Sequence, residues 1–235
     1  MVYLPRITVI ELYNYREWTE SLGTDREWII QFKQSEIHSL LQRLIAKNDG
    51  FVLPFRYDYY IVLSNTISEK RHEEIYTALY TTLDVPIRMV SLTNRYPFTA
   101  QLWATRILAR SHNKFIYIHG DEDPNVVVHI DINDIVKKSY STSIYEAYVA
   151  AVELYHYIVE VVSRCGGLAG YLGGDNVLAI LPLDSYEDFL DKLPNYVKAG
   201  VGISLIPRRA VKLSTEALDA VRAGGRLKKF IILTE

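Results

Sequence analysis

Two short acidic motifs in the second half of the chain carry residue types that bind a divalent cation. The first, residues 129–134 (His-Ile-Asp-Ile-Asn-Asp), ends a predicted strand and projects His129 and Asp131 to one face of the sheet. The second, residues 173–176 (Gly-Gly-Asp-Asn), falls on a predicted hairpin tip, where glycine permits a positive φ. Two carboxylates that meet at one sheet end repel each other, and Mg²⁺ relieves the repulsion while also binding substrate phosphates. The motifs therefore predict a Mg²⁺–phosphate site on Asp131 and Asp175.

The elements that must position these motifs follow the same predicted order in both halves of the 235-residue chain. In the first half, apolar runs and three- and four-residue spacings predict strands at 7–12, 50–55, 59–63 and 87–92 and helices at 25–47, 69–83 and 98–109. In the second half they predict strands at 126–131, 167–172, 176–180, 197–203 and 227–233 and helices at 143–162, 186–193 and 208–221. Tyr13 and Asp131 are 118 residues apart and Asp58 and Asp175 are 117 apart, so the spacing indicates a duplication.

The order of elements in each half is βαββαβ, which predicts an α+β fold of two tandem ferredoxin-like domains. Such a split-βαβ order implies antiparallel sheets with helices on one face. We expect the first domain at 1–111, a polar connection at 112–125, and the second domain, with the acidic motifs, at 126–235.

The composition excludes several classes of protein. The chain has 26 Lys and Arg against 28 Asp and Glu, a net charge of −2, which disfavours a nucleic-acid binder. It has no run of ~18 apolar residues that would cross a membrane, and no secretory signal is visible at its start. Its one cysteine, Cys165, cannot form an internal disulfide or a Cys-rich zinc site. We therefore expect a cytoplasmic protein that binds neither nucleic acid nor membrane.

Taken together, the motifs resemble those of the archaeal GTP cyclohydrolase III family, a tandem of two palm-like domains similar to nucleotidyl cyclases. The resemblance spans about residues 7–221. The first half matches at 15–20 (Tyr-Arg-Glu-Trp-Thr-Glu), 25–28 and 56–58 (Arg-Tyr-Asp), and the second at 129–133, 172–176 and 198–203.

The resemblance implies a Mg²⁺-dependent hydrolase, stimulated by a monovalent cation such as K⁺, that acts on GTP. It opens the imidazole ring, keeps the formyl carbon on the product, and releases the outer phosphates as inorganic phosphate. The metal ligands implied are Asp131, Asp175 and the backbone of Ile132. Catalytic candidates for ring opening are His129 and Asp58. Residues expected to contact the substrate are Asn133, Asp134, Gly173, Gly174, Asn176, Arg209, Lys212 and Tyr15. A homo-oligomer is expected.

Structural alternatives to these roles stay open. Asp175 could be a turn residue, His129 a packed hydrogen-bond donor, and Asp58 an ion-pair partner of Arg56. The first half has Tyr13-Asn14 and Tyr59 where family members often have Asp and Asn, and its tyrosines could plug a degenerate site. Two functional alternatives follow: a GTP-binding regulatory relative without ring opening, and a nucleotidyl cyclase.

Overall fold

A computed structural model describes residues 4–224 and 229–235 of the chain. The first repeat consists of β1 (Arg6–Leu12), α1 (Tyr15–Ser21), α2 (Arg26–Ala46), β2 (Phe51–Phe55), β3 (Tyr59–Leu63), α3 (Glu69–Thr82), β4 (Ile87–Thr93), α4 (Pro97–Arg110) and β5 (Phe115–Tyr117). The second consists of β6 (Asn125–Ile132), α5 (Ile135–Ser141), α6 (Ile144–Arg164), β7 (Leu168–Gly173), β8 (Asn176–Leu181), α7 (Tyr186–Leu190), β9 (Val197–Ser204), α8 (Pro207–Ala223) and β10 (Phe230–Thr234).

The repeats form two five-stranded sheets with matching strand orders, β2-β3-β1-β4-β5 and β10-β9-β6-β8-β7. This confirms the predicted α+β class with tandem βαββαβ units. The sheets are mixed rather than purely antiparallel, because α4 and α8 return the chain to the edge, where β5 and β10 run parallel to β4 and β9. Strand β5 lies within the segment predicted as a connection. Of the last predicted strand, residues 227 and 228 lie outside the described residues.

Helices cover both faces of each sheet, not one face as the sequence predicted. Alternate residues of β1 explain why: Ile10 and Leu12 pack with α2 and α3, whereas Ile7 and Val9 pack with α4. In the second repeat α6 and α7 cover the outer face of the sheet. The inner faces share one core, which contains residues of both sheets together with α4 and α8. The two repeats are thus joined through their inner faces.

Helix α8 lies unusually close to β9, because two glycines of β9 leave room for it. A Cβ atom on Gly200 would stand 2.0 Å from the carbonyl oxygen of Ser214, and one on Gly202 would stand 2.0 Å from that of Ala210. No side chain fits at those distances. The position of α8 against the sheet is therefore determined by Gly200 and Gly202, and the positions of the side chains on α8 follow from it.

The first repeat has a buried polar cluster within its outer core. The Oγ1 atom of Thr8 lies 2.9 Å from Nε2 of His72 and donates a hydrogen bond to Oγ of Ser91 over 2.8 Å. The Nδ1 atom of His72 lies 3.0 Å from the backbone oxygen of Ser68. Burial lowers the pKa of His72, so its imidazole is neutral near pH 7.

A buried ion pair fastens the connection between the repeats to β1. The guanidinium of Arg6, which is almost fully buried, pairs with the carboxylate of Glu122, and Asn65 donates a hydrogen bond to the backbone oxygen of Asp123. Among the residues that the structure describes, no helix has the length and apolar content needed to cross a bilayer.

Candidate active site

The site is centred on Asp131, which β6 carries to the end of the second sheet. Its side chain is about nine-tenths buried and stands opposite Lys198 of the neighbouring strand β9. From the C-terminal end of α8, Arg222 approaches with its Nη2 atom 2.8 Å from Oδ2 of Asp131. One carboxylate is thus flanked by cations from two elements whose spacing the glycines of β9 determine.

The second carboxylate, Asp175, lies at the tip of the β7–β8 hairpin beside Asp131. Its Oδ2 atom is buried without a hydrogen-bond partner, and Oδ1 accepts a bond from the side-chain amide of Asn176 over 3.3 Å. Burial and the negative charge of neighbouring Asp131 raise the pKa of Asp175 to about 6. The structure therefore brings the two predicted metal ligands together.

The turns that present these carboxylates need unusual backbone angles. Gly173 and Gly174 have φ of 103° and 62°. Nothing lies within 4 Å of a Cβ atom placed on Gly173, so glycine is required there by the backbone angle and not by lack of room for a side chain. Asp134, which begins α5, has φ of 58°. These predicted contact residues shape the turns around Asp131 and Asp175.

Two adjoining clefts share Asp131, Ile132, Asp134 and Arg222 in their walls. The larger, about 860 Å³, is also lined by Asn133, Asn195, Tyr196, Lys198 and Lys229. The smaller, about 600 Å³, is lined by Asp175, Asn176 and four residues of α5, namely Ile135, Val136, Lys137 and Tyr140. Together the clefts present four basic residues around the carboxylate pair, a charge pattern that suits a polyphosphate chelated to a cation.

The carboxylate pair fits a hard divalent cation. Asp175 has a buried oxygen without a partner, and burial and the like charge of Asp131 both raise its pKa, a conflict that a cation resolves. Among residues 4–224 and 229–235, no group of three or more His, Cys, Asp or Glu side chains is arranged to hold a metal. Any cation here would therefore take its other ligands from water, phosphate oxygens and backbone carbonyl oxygens. The backbone N–H of Ile132 donates a hydrogen bond to Asp175, so only the carbonyl oxygen of this residue is free to bind a cation.

His129 is linked to the carboxylate pair through one intervening side chain. Its Nε2 atom lies 3.0 Å from Oδ1 of Asn176, and its Nδ1 atom lies 3.3 Å from Oγ1 of Thr215 on α8. Because an amide oxygen only accepts hydrogen bonds, Nε2 of His129 carries the hydrogen and donates the hydrogen bond to Asn176. Asn176 in turn donates to Asp175, and burial lowers the pKa of His129. In this geometry His129 orients Asn176 and is held on both ring nitrogens.

Two basic residues predicted to contact phosphates lie elsewhere. Arg209 and Lys212 stand near the start of α8, whereas Arg222 stands at its end, a separation of 15–20 Å at the helical rise. Arg209 pairs with Glu235 and Lys212 with Glu216. The prediction that Arg209 and Lys212 lie at the carboxylate pair is therefore wrong. The basic residues that line the cleft beside Asp131 are Arg222, Lys198 and Lys229.

Asp58 and Tyr15 belong to the equivalent corner of the first repeat and line neither cleft. Asp58 is buried and pairs with Arg56 over 2.8 Å, while its Oδ1 atom has no partner and burial raises its pKa. The hydroxyl of Tyr15 accepts a hydrogen bond from Gln34 over 2.6 Å, and its ring packs on Trp18. Their contacts in this structure are internal to the first repeat.

The first repeat has a carboxylate pair of its own, which corrects the match of Tyr13 to Asp131. Asn14 and Asp134 begin α1 and α5 with φ of 56° and 58°, an offset of 120 residues, and this offset places Glu11 on Asp131. Register agrees, because Glu11 stands opposite Arg88 as Asp131 stands opposite Lys198. Arg88 pairs with Glu11 over 2.6 Å, and the hydroxyl of Tyr59 donates to Glu11 over 2.8 Å.

The hairpin tip of the first repeat keeps the turn without the glycines. Arg56 and Tyr57, at the positions of Gly173 and Gly174, have φ of 59° and 62°. Residues other than glycine rarely adopt these left-handed backbone angles, so the tip stores backbone strain.

Comparison with known sequences gives matches over almost the whole chain. The family model of GTP cyclohydrolase III matches residues 7–235. A GTP cyclohydrolase III of Aeropyrum pernix is 36% identical over 222 residues, covering 93% of this chain and 92% of the relative. One of Saccharolobus solfataricus is 29% identical over 219 residues, covering 92% and 94%.

Solved structures similar to this chain include nucleotidyl cyclases. The GGDEF domain of DgcB from Caulobacter crescentus, in complex with c-di-GMP, matches 48% of this chain and 78% of its own, with a TM-score of 0.36 and 14% identity. A bacterial light-regulated adenylyl cyclase matches 94% and 83%, with a TM-score of 0.38 and 10% identity.

Proposed function

The chain belongs to the GTP cyclohydrolase III family and is an enzyme, and we propose that it hydrolyses GTP at the cleft around Asp131 and Asp175. The observation that carries this location is the carboxylate pair, with its unpartnered buried oxygen on Asp175 and its surrounding basic residues. In the corresponding pair of the first repeat, Glu11 is paired with Arg88 and Asp58 with Arg56.

The triphosphate would lie across the shared wall of the two clefts. Arg222 is about 40% exposed and can contact a phosphate while remaining near Asp131. Lys198 and Lys229 line the larger cleft, and Lys137 lines the smaller. These side chains would offset the charge of the phosphates and orient them in line for attack. The base and ribose would occupy the larger cleft, near Asn133 and Tyr196.

We propose that Asp131, Asp175 and the backbone of Ile132 hold Mg²⁺ there. When bound, Mg²⁺ neutralises charge on the phosphates and lowers the pKa of a bound water. The chain's own contribution is to hold the carboxylates in place: His129 donates to Asn176 and Asn176 donates to Asp175, while Arg222 holds Asp131. His129 is therefore proposed as a positioning residue.

The proposed product is 2-amino-5-formylamino-6-(5-phospho-D-ribosylamino)pyrimidin-4(3H)-one, with the two outer phosphates released as inorganic phosphate. Ring opening needs water to add at C8 of guanine and the C8–N9 bond to break, so that the formyl carbon stays on N7. General acid–base groups assist both steps. Stimulation by K⁺ and a cytoplasmic location stay predictions.

The test is an assay of purified protein with GTP, Mg²⁺ and K⁺, in which the ultraviolet spectrum, formate and phosphate are followed together. We expect loss of the guanine spectrum, two phosphates per GTP, and no formate. An unchanged spectrum with intact GTP would refute the proposal. Omission of Mg²⁺, and addition of EDTA, are the controls for the metal.

The engaged first-repeat pair favours one alternative, a relative that cleaves phosphates without opening the ring. In that case the same assay gives phosphate while the guanine spectrum stays unchanged. A cyclase would instead release pyrophosphate and leave a cyclic guanine nucleotide, which mass spectrometry separates from both.

A further inference from the structure

The hairpin tip that carries Asp175 is built from residues with unusual backbone freedom. Gly173 and Gly174 come directly before Asp175, and glycine has more conformational freedom to lose on folding than any other residue. The register of the β7–β8 ladder shifts between Tyr171 and Gly173, so regular strand pairing stops before the tip. A carboxylate that binds a cation must be held in one orientation. The tip therefore needs a restraint other than the ladder.

Tyr171 supplies a restraint from the outer face of the sheet. Its hydroxyl donates a hydrogen bond to the backbone oxygen of Gly174 over 2.6 Å. Because the peptide group between Gly174 and Asp175 is planar, a hydrogen bond to its oxygen also sets the direction of the bond that leads into Asp175. Tyr171 thus restrains Asp175 through the main chain and leaves the carboxylate unused.

The ring of Tyr171 is itself anchored. It lies on the same face of β7 as Ala169, two residues earlier, whose side chain belongs to the outer core. Its ring centre is 5.6 Å from that of Tyr155 on α6, with the two rings inclined by 40°. Tyr155 packs against the outer core, and its hydroxyl donates to the backbone oxygen of Ala169 over 3.5 Å. The hydroxyl of Tyr171 therefore extends to the tip from a packed pair of rings.

The first repeat restrains its tip in another way. The offset of 117 residues places Pro54 at the position of Tyr171, so no hydroxyl is present there. Instead the carboxylate itself is engaged, since Arg56 pairs with Asp58 over 2.8 Å. In the second repeat, within the described part of the chain, Oδ2 of Asp175 is buried without a hydrogen-bond partner. A restraint on the main chain keeps the acid available to a cation, whereas a restraint on the carboxylate does not.

Contacts from the opposite side complete the arrangement of Asp175. The backbone N–H of Ile132 donates to its carboxylate, and the side-chain amide of Asn176 donates to Oδ1 over 3.3 Å. These contacts act on the side chain, while Tyr171 acts on the main chain. We propose that Tyr171 is a positioning residue of the active site, whose hydroxyl holds the Gly174–Asp175 peptide so that the carboxylate faces Asp131. Its effect on turnover rests on the function proposed above; its effect on the tip does not.

Two matched variants isolate the hydroxyl. Tyr171→Phe removes it and keeps the ring against Tyr155. Tyr155→Phe removes the other hydroxyl of the same ring pair, whose hydrogen bond ends on Ala169 and not on the tip. Both variants keep the aromatic packing, so both are expected to fold with the wild-type circular dichroism spectrum.

The first experiment measures ¹⁵N relaxation of the protein without metal or nucleotide. In the wild type the amides of Gly174 and Asp175 should have order parameters near those of rigid backbone, about 0.85, and in Tyr171→Phe they should fall below about 0.6. The tip of the first repeat, and both tips in Tyr155→Phe, should keep their wild-type values. A second tip that is already mobile in the wild type, or one that stays rigid in Tyr171→Phe, would overturn the proposal.

The second experiment titrates GTP turnover with Mg²⁺. One neutral hydrogen bond is worth roughly two- to tenfold in an equilibrium constant. Tyr171→Phe should therefore raise the half-saturating Mg²⁺ concentration about fivefold. Its kcat at saturating Mg²⁺ should stay within about twofold of wild type, because excess cation compensates for a less well placed carboxylate. Tyr155→Phe should keep both values.

The outcomes separate this proposal from the function on which its kinetic part rests. A lower melting temperature of Tyr171→Phe with an unchanged Mg²⁺ requirement would show a purely structural role and overturn the proposal. If the wild-type protein left GTP intact, the proposed function would fail, and the relaxation measurement alone would decide whether Tyr171 holds the tip.

Discussion

The two repeats place a pair of carboxylates at the same corner of the same fold and neutralise them differently. In the first repeat Glu11 is fully engaged, since Arg88 and Tyr59 both bond to it and the Arg88 guanidinium also lies 4.2 Å from the ring centre of Tyr13. In the second, Arg222 reaches Asp131 from a half-exposed position, and Asp175 has no ion-pair partner among the described residues, whereas Asp58 pairs with Arg56.

The difference shows how one backbone supports either a structural or a functional corner. In the first repeat the mostly buried guanidinium of Arg88 neutralises Glu11 and occupies the space beside it, so no bound metal ion is needed there. A half-exposed arginine leaves the pair incompletely neutralised and open to a ligand. The position of the cation, rather than the presence of the acids, distinguishes the two corners.

The largest expected effect is on catalysis. Asp175→Asn should lower metal-dependent GTP turnover by at least ~100-fold, since even residues behind a metal ligand typically cost 10–100-fold. Asp58→Asn, at the matched position, should stay within about threefold of wild type. Steady-state phosphate release under saturating Mg²⁺ measures both. Equal losses in the two variants would break the comparison and assign the first repeat a part in the reaction.

The next comparison concerns the two arginines. Arg88→Met leaves the buried Glu11 without its charged partner, which should cost about 3–5 kcal/mol of unfolding free energy. Arg222→Met should cost less, because this guanidinium is about 40% exposed and Lys198 stands opposite Asp131, but it should raise KM for GTP. Urea denaturation and kinetics on both variants measure these effects. If Arg222→Met were the more destabilising, its assignment to phosphate would fail.

A third change tests the close approach of α8 to β9. Gly200→Ala places a methyl group against the backbone of the helix, so we expect about 1–3 kcal/mol of destabilisation and a higher KM as Arg222 shifts. Gly224→Ala at the end of the same helix is the control, since its nearest atom is 3.4 Å away. Thermal unfolding of the two variants should differ by several degrees. Similar curves would show that α8 has room to move.

The smallest expected effect is on the pH dependence of stability, and it belongs to the first repeat. The folded state lowers the pKa of His72, so stability is fully present above the unfolded pKa of about 6.5 and falls as the pH drops below it, by up to about 1.4 kcal/mol per pH unit. Valines 128 and 201 of the second repeat replace the polar partners Thr8 and Ser91. His72→Gln should flatten the unfolding free energy between pH 7.5 and 5.5, and an unchanged slope would contradict this origin.

Local patterns in the sequence predicted most of the fold. The helix predicted at 25–47 is Arg26–Ala46, and the one at 69–83 is Glu69–Thr82. Helices α1 and α5 were not predicted, because in each only seven residues are helical and only Trp18 of α1 is buried. Strand β5 was missed because three residues give no periodicity.

The site was predictable only where its geometry is local. Strand parity and hairpin glycines were enough to bring Asp131 and Asp175 together. Arg222 lies 91 residues from Asp131 and reaches it only because α8 fits against Gly200 and Gly202, a contact that spacing does not show. Glu11 was missed because the repeats were aligned on Tyr13, and the true offset differs by two residues.

The hairpin tip of the first repeat has a consequence for how such a chain diverges. Arg56 and Tyr57 hold left-handed angles that cost roughly 1–2 kcal/mol per residue and that glycine adopts freely. The tip nevertheless keeps a positive φ at both positions, as its counterpart does at Gly173 and Gly174. In a duplicated protein the path of the main chain is thus inherited more faithfully than the side chains that first made that path easy. A hairpin that has lost its original side chains can therefore still be matched to its counterpart by its positive φ angles.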